Sequence, residues 1–473
     1  MGVVLYGRSI VVQFTIRNCL IACVTIENNL DRHTPYATKD TIACKLGATL
    51  AHWPVVQLTL TQLDFLRSPA AEPLLSMPLP GDALAAIGVL RKLCTPDQAA
   101  AVMTLRELRE RAERTDRFPP PIARRLLASD KMLQQASSLR LSVYKGRRMM
   151  EVAGRTGAAP TILDLCCGLG ADAIGLALAG ADVRGYDRDE AAVLCATHNA
   201  AIAGLASRCR FHAADVTAIE LSPESIVHAD PDRRATGRRT VLLADYSPDE
   251  AFLRSLPART RAGAIKLSPA MDWNVLADWP GVWAEYVSEA GVCKQLILWW
   301  GQRPALSAAR LATVVWGDPA DPQFLTLPAG LAPFAPLREP GEFLIEPDPA
   351  VIAAGAVDDL AGRHGLWRVD RQLAWLFGPD PLDTPLARSY RVLRRVTGRP
   401  RDVSRAIAEL GGGTVEVKTR GLKLDTDRLQ RSLRGPGDRP LVVAWCRIGP
   451  SQQVFLCQRG AGEVPNSEFQ IPN

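Results

Sequence analysis

The stretch TILDLCCGLGADAIGLALAGADVRGYD, residues 161–187, decides the fold of this chain. It opens with a short apolar run that predicts a buried strand, and Gly168 and Gly170 follow where the chain must turn sharply. The alanine- and leucine-rich run 171–179 predicts a buried helix, and a second short strand ends on Asp187. A strand, a glycine loop, a helix and a strand closed by an acid are typical of an open α/β sheet that binds a nucleotide-like cofactor at its carboxyl edge.

Two cofactors fit this glycine pattern, NAD and S-adenosylmethionine. A dinucleotide would place its pyrophosphate at the start of the helix, but Asp164 and Asp172 flank the loop and would repel it. S-adenosylmethionine has no phosphate and carries an ammonium and a sulfonium group, which a carboxylate at Asp164 would favour. Asp187 is then placed to accept hydrogen bonds from both ribose hydroxyls. We therefore expect S-adenosylmethionine, with NAD as the alternative. The expected cofactor-binding residues of this stretch are Asp164, Cys166, Gly168, Gly170 and Asp187.

The order Asp-x-Cys-Cys-Gly-x-Gly, followed by an acid that closes the next strand, resembles class I methyltransferases. The resemblance implies a Rossmann-like α/β fold with a seven-stranded sheet, whose antiparallel edge pair we assign to residues 293–300 and 310–316. It also implies that Asp215, which closes a third predicted strand at 209–213, faces the adenine amino group. Capping of the next turn is the alternative for Asp215.

The segment after the fourth predicted strand, 225–229, is where such enzymes meet the methyl acceptor. Methyl transfer is an in-line displacement at a sulfonium carbon, so positioning supplies much of the catalysis. An exocyclic amine needs a hydrogen-bond acceptor that orients it and leaves its lone pair facing the methyl group. Asp230 is placed for this role, and Pro231 fixes the turn. We therefore predict Asp230 and Pro231 as the catalytic residues.

Several motifs, in one order along the chain, are similar to those of bacterial methyltransferases with a C-terminal THUMP-like domain. The match spans about residues 80–459 and implies a helical N-terminal part, the methyltransferase domain, a short ferredoxin-like module and the THUMP-like domain. In that family the acceptor segment reads Asp-Pro-Ala-Arg-Arg, and here Asp232 replaces the alanine. The motifs are LQQAS at 133–137, DLCCGLG at 164–170, DPDRR at 230–234, GEFLIEPDPA at 341–350, GAV at 355–357, GLWR at 365–368, VEVKTRG at 415–421 and GDRP at 437–440.

The resemblance and the composition together predict five segments. Little order is expected in the first of them, through about residue 80. The segments are a poorly defined region at 1–80, a helical region at 81–155, the methyltransferase domain at 156–320, a ferredoxin-like module at 341–385 and a THUMP-like domain at 388–460.

Basic residues are concentrated in two segments. Residues 388–439 carry 14 Lys and Arg against 6 Asp and Glu, a net charge of +8, whereas the whole chain is only +6. Arginines that neutralise phosphates would explain this excess, and THUMP domains bind RNA, so we expect an RNA partner. The alternative is that arginine is simply the preferred surface cation. Residues 106–148 carry a net +7 and predict either an RNA-facing arm or a solvated helical face.

Composition limits the remaining possibilities. The 473 residues, 47% of them hydrophobic, are enough for two to four globular domains. The 11 cysteines form neither a CxxC pair nor a cluster at zinc spacing, which predicts free thiols in a reducing cytoplasm and no metal site. The apolar N-terminal run is broken by Arg8, Gln13 and Arg17 before it reaches membrane-spanning length, so no membrane contact is expected.

The sequence therefore predicts a cytoplasmic S-adenosylmethionine-dependent methyltransferase that acts on ribosomal or transfer RNA. A methyltransferase for a protein or small molecule is one alternative, and a catalytically silent RNA-binding protein is another. The intact cofactor loop with Asp164 and Asp187 argues against the silent protein. The oligomeric state stays open.

Overall fold

A computed structural model describes residues 57–154, 159–233, 242–303 and 308–459, and the backbone of three N-terminal strands. The chain divides into two compact units, residues 1–54 with 79–89 and residues 55–78 with 90–473. The strands of the first unit form an antiparallel sheet in the order β1-β2-β3. They are β1 (Gly2–Tyr6), β2 (Ser9–Ile16) and β3 (Cys19–Glu27).

Helices fill most of the described chain between residues 60 and 152. Two of them lie before residue 80, where the sequence predicted little order. Thr59 and Thr95 each begin a helix with a capping box, in which the threonine side chain and a glutamine three residues later satisfy each other's backbone N–H groups. The helices are α1 (Leu60–Leu66), α2 (Glu72–Ser76), α3 (Ala83–Leu90), α4 (Pro96–Arg114), α5 (Pro120–Ala123), α6 (Asp130–Gln135) and α7 (Leu139–Val152).

Arginines hold several of these helices to neighbouring backbone. Arg106 Nη1 donates to the carbonyl oxygens of Leu75 and Met77, both at 2.9 Å. Arg109 donates to the Leu126 carbonyl at 2.9 Å, and burial lowers the pKa of Arg109 to about 10. Much of the basic excess at 106–148 is thus engaged within the protein, which favours a structural role over an RNA-facing arm.

The large sheet of the second unit has nine strands among the described residues, in the order β12-β11-β9-β10-β8-β7-β4-β5-β6. Strands β4 to β8 are mutually parallel, and β10 is antiparallel to both β8 and β9. The strands are β4 (Thr161–Leu165), β5 (Asp182–Asp187), β6 (Cys209–Ala213), β7 (Ile226–Ala229), β8 (Ala262–Leu267), β9 (Trp283–Glu289), β10 (Val292–Trp300), β11 (Arg310–Gly317) and β12 (Pro322–Ala329).

The α/β class is confirmed, but the predicted count of seven strands and the predicted edge pair are wrong. The antiparallel partner of β10 is β9, joined to it through Ala290 and Gly291, both at positive φ. β11 runs parallel to β9, and β12 extends the sheet beyond it. Every residue of β9 is buried, including Glu285 and Glu289, so this strand lacks the polar–apolar alternation of a half-exposed strand.

The helices that pack against the strands of this sheet include α8 (Ala171–Leu178), α9 (Glu190–Ile202) and α10 (Glu250–Arg259). α7 packs closely on α8 because both carry glycine at the contact. A Cβ on Gly175 would lie 2.2 Å from the Ser142 carbonyl carbon, and one on Gly146 would lie 2.7 Å from the Gly175 oxygen. This close approach lets Ser142 and Lys145 of α7 reach Asp172 in the first turn of α8, at the edge of the sheet where the predicted site lies.

The C-terminal strands form a second sheet, in the order β14-β13-β15-β18-β17-β16. The predicted ferredoxin-like and THUMP-like segments share this sheet, since Leu344 of β13 pairs with Tyr390 of β15. Helices α13 and α14 pack on one face of the sheet, around Val403, Ile407 and Leu433. The elements are β13 (Phe343–Pro347), α11 (Pro349–Ala354), α12 (Val357–His364), β14 (Leu376–Gly378), β15 (Ala387–Thr397), α13 (Pro400–Glu409), β16 (Gly412–Arg420), α14 (Thr426–Ser432), β17 (Arg439–Ile448) and β18 (Ser451–Arg459).

Candidate cofactor and acceptor site

A cavity of about 520 Å³ lies at the carboxyl ends of β4, β5, β6 and β7. An aspartate of the cavity wall lies at or just after the end of each of these strands: Asp164, Asp187, Asp215 and Asp230. The volume of the cavity is within the range of small-molecule sites. Of the predicted site residues, the structure brings Asp164, Cys166, Gly168, Asp187, Asp215, Asp230 and Pro231 to this wall. Gly170 lies just behind it, at the start of α8.

The loop between β4 and α8 turns through three residues at positive φ, Cys166 (60°), Gly168 (54°) and Gly170 (84°). A Cβ on Gly168 would meet no atom within 4 Å, whereas one on Gly170 would lie 3.0 Å from both Cα and Cβ of Ala196. The two glycines therefore differ in their surroundings. Gly168 keeps a bare backbone at the cavity, and Gly170 lets α9 approach the loop.

Asp164 is fully buried at the end of β4, beside its strand partner His228 of β7. Its Oδ1 lies 2.7 Å from Nδ1 of His228, while its Oδ2 has no hydrogen-bond partner among the described residues. Burial raises the pKa of Asp164, against the opposing effect of His228. A buried carboxylate oxygen without a partner at a cavity wall suits a cationic ligand group, because an unpaired buried acceptor is costly.

A second buried pair lies behind Asp164. Lys145 of α7 is 1% exposed, and its Nζ lies 2.6 Å from Oδ1 of Asp172 in α8 and 3.4 Å from Nε2 of His228. Ser142 also donates to Asp172 Oδ1, at 2.7 Å. Burial lowers the pKa of Lys145. For Asp172, burial is opposed by the charges of Lys145, His228 and Lys266 and by the hydrogen bond from Lys145, which together hold the pKa of Asp172 well below its usual range. This cluster ties α7 to the floor of the cofactor loop.

Asp187 and Asp215 both form hydrogen bonds inside the protein. Asp187 accepts from the backbone N–H groups of Gly168 at 2.9 Å and Asp189 at 3.0 Å, and burial raises its pKa. Each carboxylate oxygen can accept a second hydrogen bond, so Asp187 keeps the capacity to accept from ribose hydroxyls. Asp215 is exposed and accepts from the N–H and hydroxyl of Thr217, at 2.9 and 2.7 Å. Capping of the next turn is therefore observed, and a contact of Asp215 with adenine stays a prediction.

The end of the cavity where the sequence predicts the methyl acceptor, called the acceptor end below, is built around Asp230. Its Oδ2 lies 2.6 Å from Nζ of Lys266, which is buried in β8 and also donates to the Gln135 carbonyl at 3.2 Å. The Asp230 N–H donates to the carbonyl of Leu165 at 3.1 Å, which fixes the backbone against the end of β4. One oxygen of Asp230 is thus held by a cation.

Asp232, the residue that departs from the family pattern, is held by α6. Its Oδ2 lies 2.8 Å from Nζ of Lys131 and its Oδ1 accepts from Nε2 of Gln135 at 2.9 Å. The next residue, Arg233, also borders the cavity, and its Nη1 is buried without a hydrogen-bond partner in the described structure. The last arginine of the motif, Arg234, lies outside the described residues.

Sequence reasoning missed the cations and polar groups that hold the predicted acids. The side-chain interactions of Asp230 and Asp232 with these groups span 36 to 101 residues of sequence, so no local pattern connects the partners. One signal was present, since a lysine inside the apolar run AGAIKL indicates a buried cation that needs a partner. The missed residues are Lys131, Gln135, Lys145, His228 and Lys266.

Within the described ranges, no group of three or more His, Cys, Asp or Glu side chains could hold a metal ion. No helix in the same part of the chain is long and apolar enough to span a membrane. The cavity wall fits S-adenosylmethionine, because the unpaired Oδ2 of Asp164 suits a positive group and Gly168 leaves space above the backbone.

The fold and this cavity define a class I methyltransferase, and comparisons with known proteins agree. Residues 157–229 match the methyltransferase domain family, and residues 387–459 match the THUMP domain-like family. An uncharacterized S-adenosylmethionine-dependent methyltransferase of Mycobacterium tuberculosis is 32% identical over 326 residues, which is 68% of this chain and 85% of that protein, in both strain CDC 1551 and strain H37Rv.

A solved structure shares the fold over most of the chain. The crystal structure of a proposed methyltransferase from Porphyromonas gingivalis W83 has a TM-score of 0.59 and 19% identity, covering 85% of this chain and 98% of that one. The chain belongs to the family of S-adenosylmethionine-dependent methyltransferases represented by the mycobacterial relative. It is an enzyme, and S-adenosylmethionine is its cofactor.

Proposed function

We propose that this methyltransferase acts on RNA, which its C-terminal sheet and helices bind through exposed cations. The observation that carries this proposal is a group of exposed Lys and Arg side chains on and beside α13 and α14, the helices that share one face of the sheet. None of them forms an ion pair with a described carboxylate, whereas Arg394 and Arg405 of the same domain do. The group consists of Arg399, Arg401, Lys423, Arg428, Arg431 and Arg434.

Cations without carboxylate partners are free to bind phosphates. Electrostatic binding of this kind releases counterions and needs no sequence-specific contacts. The match of residues 387–459 to the THUMP domain-like family supports the same partner, since THUMP domains bind RNA. By contrast, the helical region at 106–148 engages several of its arginines internally, so we assign it a smaller share of the RNA contacts.

Arg233 supports a charged acceptor at the cavity itself. Its buried and unpaired Nη1 would be satisfied by an anionic oxygen of the acceptor, such as a phosphate next to the methylated nucleotide. The two carboxylates of this segment already have cation partners, Asp230 with Lys266 and Asp232 with Lys131.

At this end of the cavity we assign the acceptor role to Asp230, with Pro231 fixing the turn. When bound, S-adenosylmethionine supplies the methyl group on a sulfonium centre. Lys266 holds one Asp230 oxygen, which leaves the other to accept a hydrogen bond from the acceptor amine and orient its lone pair. The proton that the amine loses on methylation passes to this carboxylate and then to water. Asp164, Cys166, Gly168, Gly170, Asp187 and Asp215 are the proposed cofactor residues.

The proposal is tested with RNA from cells that lack the protein. Total RNA is incubated with the purified enzyme and methyl-labelled S-adenosylmethionine, separated by size, digested and analysed by mass spectrometry of nucleosides. We expect one methylated nucleoside in the ribosomal or transfer RNA fraction, and none with the Asp230→Ala variant. A parallel reaction uses whole extract of the same cells, and label that enters its protein or small molecules, with none in RNA in either reaction, would refute the proposal and favour the other substrate classes.

A further inference from the structure

Gln135, the last residue of α6, contacts both sides of the acceptor segment. Its side-chain Nε2 donates to Oδ1 of Asp232 at 2.9 Å, and its backbone carbonyl accepts from Nζ of Lys266 at 3.2 Å. The same Lys266 Nζ lies 2.6 Å from Oδ2 of Asp230. One helix end is therefore connected to Asp232 directly and to Asp230 through a buried cation.

A second residue of α6 completes the grip on Asp232. Lys131 lies four positions before Gln135, hence on the same helix face, and its Nζ is 2.8 Å from the other Asp232 oxygen. The Asp232 backbone is held from another direction, because its N–H donates to the Ser247 carbonyl at 2.9 Å and its carbonyl accepts from the Ser247 N–H at 3.1 Å. The segment that carries Asp230 is thus fixed on two sides.

We propose that Lys131, Gln135 and Asp232 form a clamp that positions Asp230 for the methyl acceptor. The inference rests on the acceptor role assigned to Asp230 in the proposed function. It makes the helical N-terminal region part of the catalytic site, since the clamp comes from α6 and not from the methyltransferase sheet. The alanine of the family pattern could not take part, because a methyl group accepts no hydrogen bond.

The clamp fixes the position of Asp230, whereas the cofactor residues Asp164 and Asp187 are held by other groups. Asp164 is held by His228, and Asp187 by the N–H of Gly168, so neither depends on α6. Loss of the clamp would let the Asp230 carboxylate move relative to the acceptor. A displacement of about 1 Å can lower a rate by about a hundredfold, because transfer needs an aligned approach.

The test compares single-turnover rates of methyl transfer, with the full-length chain and total RNA, for D232A, Q135A and the double variant. We expect each single variant to slow transfer about tenfold or more, and the double variant to be no slower than D232A, since both changes break the same interaction. The affinity for S-adenosylmethionine, measured by calorimetry, should stay within about twofold of wild type. D232N keeps an oxygen that can accept from Gln135 and should recover most of the rate.

A matched control is E113A. Glu113 forms an exposed ion pair with Arg124 at 2.7 Å in the same helical region but does not border the cavity, so its loss should not slow transfer. Rates for D232A equal to those for E113A would overturn the proposal, and so would fully additive losses in the double variant.

A second readout does not depend on the acceptor. Hydrogen exchange at the amides of Asp230 and Asp232, which donate to Leu165 and Ser247, should be faster in D232A and Q135A than in E113A. If the wild-type enzyme methylates no RNA, the proposed function fails, while exchange at these two amides still decides the clamp. Unchanged exchange in both variants would overturn it.

Discussion

Gly168 and Gly170 provide a paired test of the cofactor loop. Both are at positive φ, so alanine at either position should cost about 1–2 kcal/mol of backbone strain. The two substitutions differ in what the added Cβ atom contacts. The added Cβ meets no atom within 4 Å at Gly168, but at Gly170 it lies 3.0 Å from Cα and Cβ of Ala196 in α9.

These distances set different expectations for stability and binding. Gly170→Ala must also push α9 away, which adds about 1–3 kcal/mol of overpacking, so it should melt at a lower temperature than Gly168→Ala. Gly168→Ala places its methyl group at the cavity wall, where the cofactor would lie. A steric cost of about 1–3 kcal/mol there weakens binding roughly 5- to 150-fold.

The assay is calorimetric titration with S-adenosylmethionine, with thermal unfolding of the same samples measured without ligand. Gly168→Ala should fold with a modest loss of stability and bind weakly, while Gly170→Ala should lose more stability. If Gly168→Ala binds the cofactor like wild type, the loop does not contact the cofactor as assigned. If the unfolding temperature of Gly170→Ala is equal to or higher than that of Gly168→Ala, the packing argument is wrong.

Three further predictions concern the acids and the surface cations. Asp230→Asn should reduce the rate of methyl transfer at least tenfold with little change in cofactor affinity. Lys266→Met, which removes the cation that holds Asp230, should also reduce this rate. If Asp230→Asn instead unfolds at a lower temperature and no longer binds the cofactor, Asp230 has a structural role. Because burial raises the pKa of Asp187 above the roughly 3.9 of a free carboxyl, cofactor affinity should fall as the pH drops through the range above that value. Asp187→Asn should remove this step from a pH series of calorimetric titrations. The effect on stability has the opposite sign: since the pKa is higher in the folded than in the unfolded chain, the contribution of Asp187 to stability declines as the pH rises through the same range. The third prediction is measured by fluorescence anisotropy of RNA binding over a series of salt concentrations. Replacing exposed cations by glutamine should reduce the slope of log affinity against log salt by about 0.7 for each phosphate that is no longer neutralised, and an unchanged slope would refute RNA binding at this face. The cations are Arg399, Arg401, Lys423, Arg428, Arg431 and Arg434.

Point substitutions are better suited to the last test than removal of the domain. β13 lies before residue 385 and pairs with β15 after it, so a truncation there would leave a strand edge unpaired. Exposed strand edges promote aggregation, and a loss of RNA binding would then have two explanations. Glutamine at exposed positions removes charge without touching the sheet.

Local sequence patterns predicted the part of the fold in which the site residues lie next to the strands and helix that position them. The glycine loop, the strand before it and the acid after it are contiguous in the chain, and the third strand lies at the predicted residues, Cys209–Ala213. Asp164, Asp187 and Asp230 follow or end neighbouring parallel strands, so the topology alone brings them to one edge. That is why most of the predicted site residues meet at one cavity.

Long-range contacts and fully buried polar strands were beyond such patterns. β9 contains Glu285 and Ser288 on opposite faces of the strand, and both are buried, Glu285 with hydrogen bonds from Trp299 and Thr313, so no polar–apolar alternation marks this strand. Likewise, nothing near Gln135 in the sequence indicates Lys266, because 131 residues separate them. The sharing of one sheet by two predicted modules is also a pairing between distant strands.

The two ends of the cavity differ in how their charges are balanced, and this difference suits the proposed pair of substrates, S-adenosylmethionine and RNA. At the cofactor end, Asp187 and Asp215 have backbone and hydroxyl donors but no cation within ion-pair distance among the described residues, and Asp164 has only His228. That end favours a ligand with two positive groups. At the acceptor end, Lys266 and Lys131 pair with the carboxylates of the Asp230-Pro-Asp232 segment. Pairing lowers the repulsion that two free carboxylates would exert on a phosphate chain, so the same cavity can hold a cationic cofactor and admit a polyanion beside it.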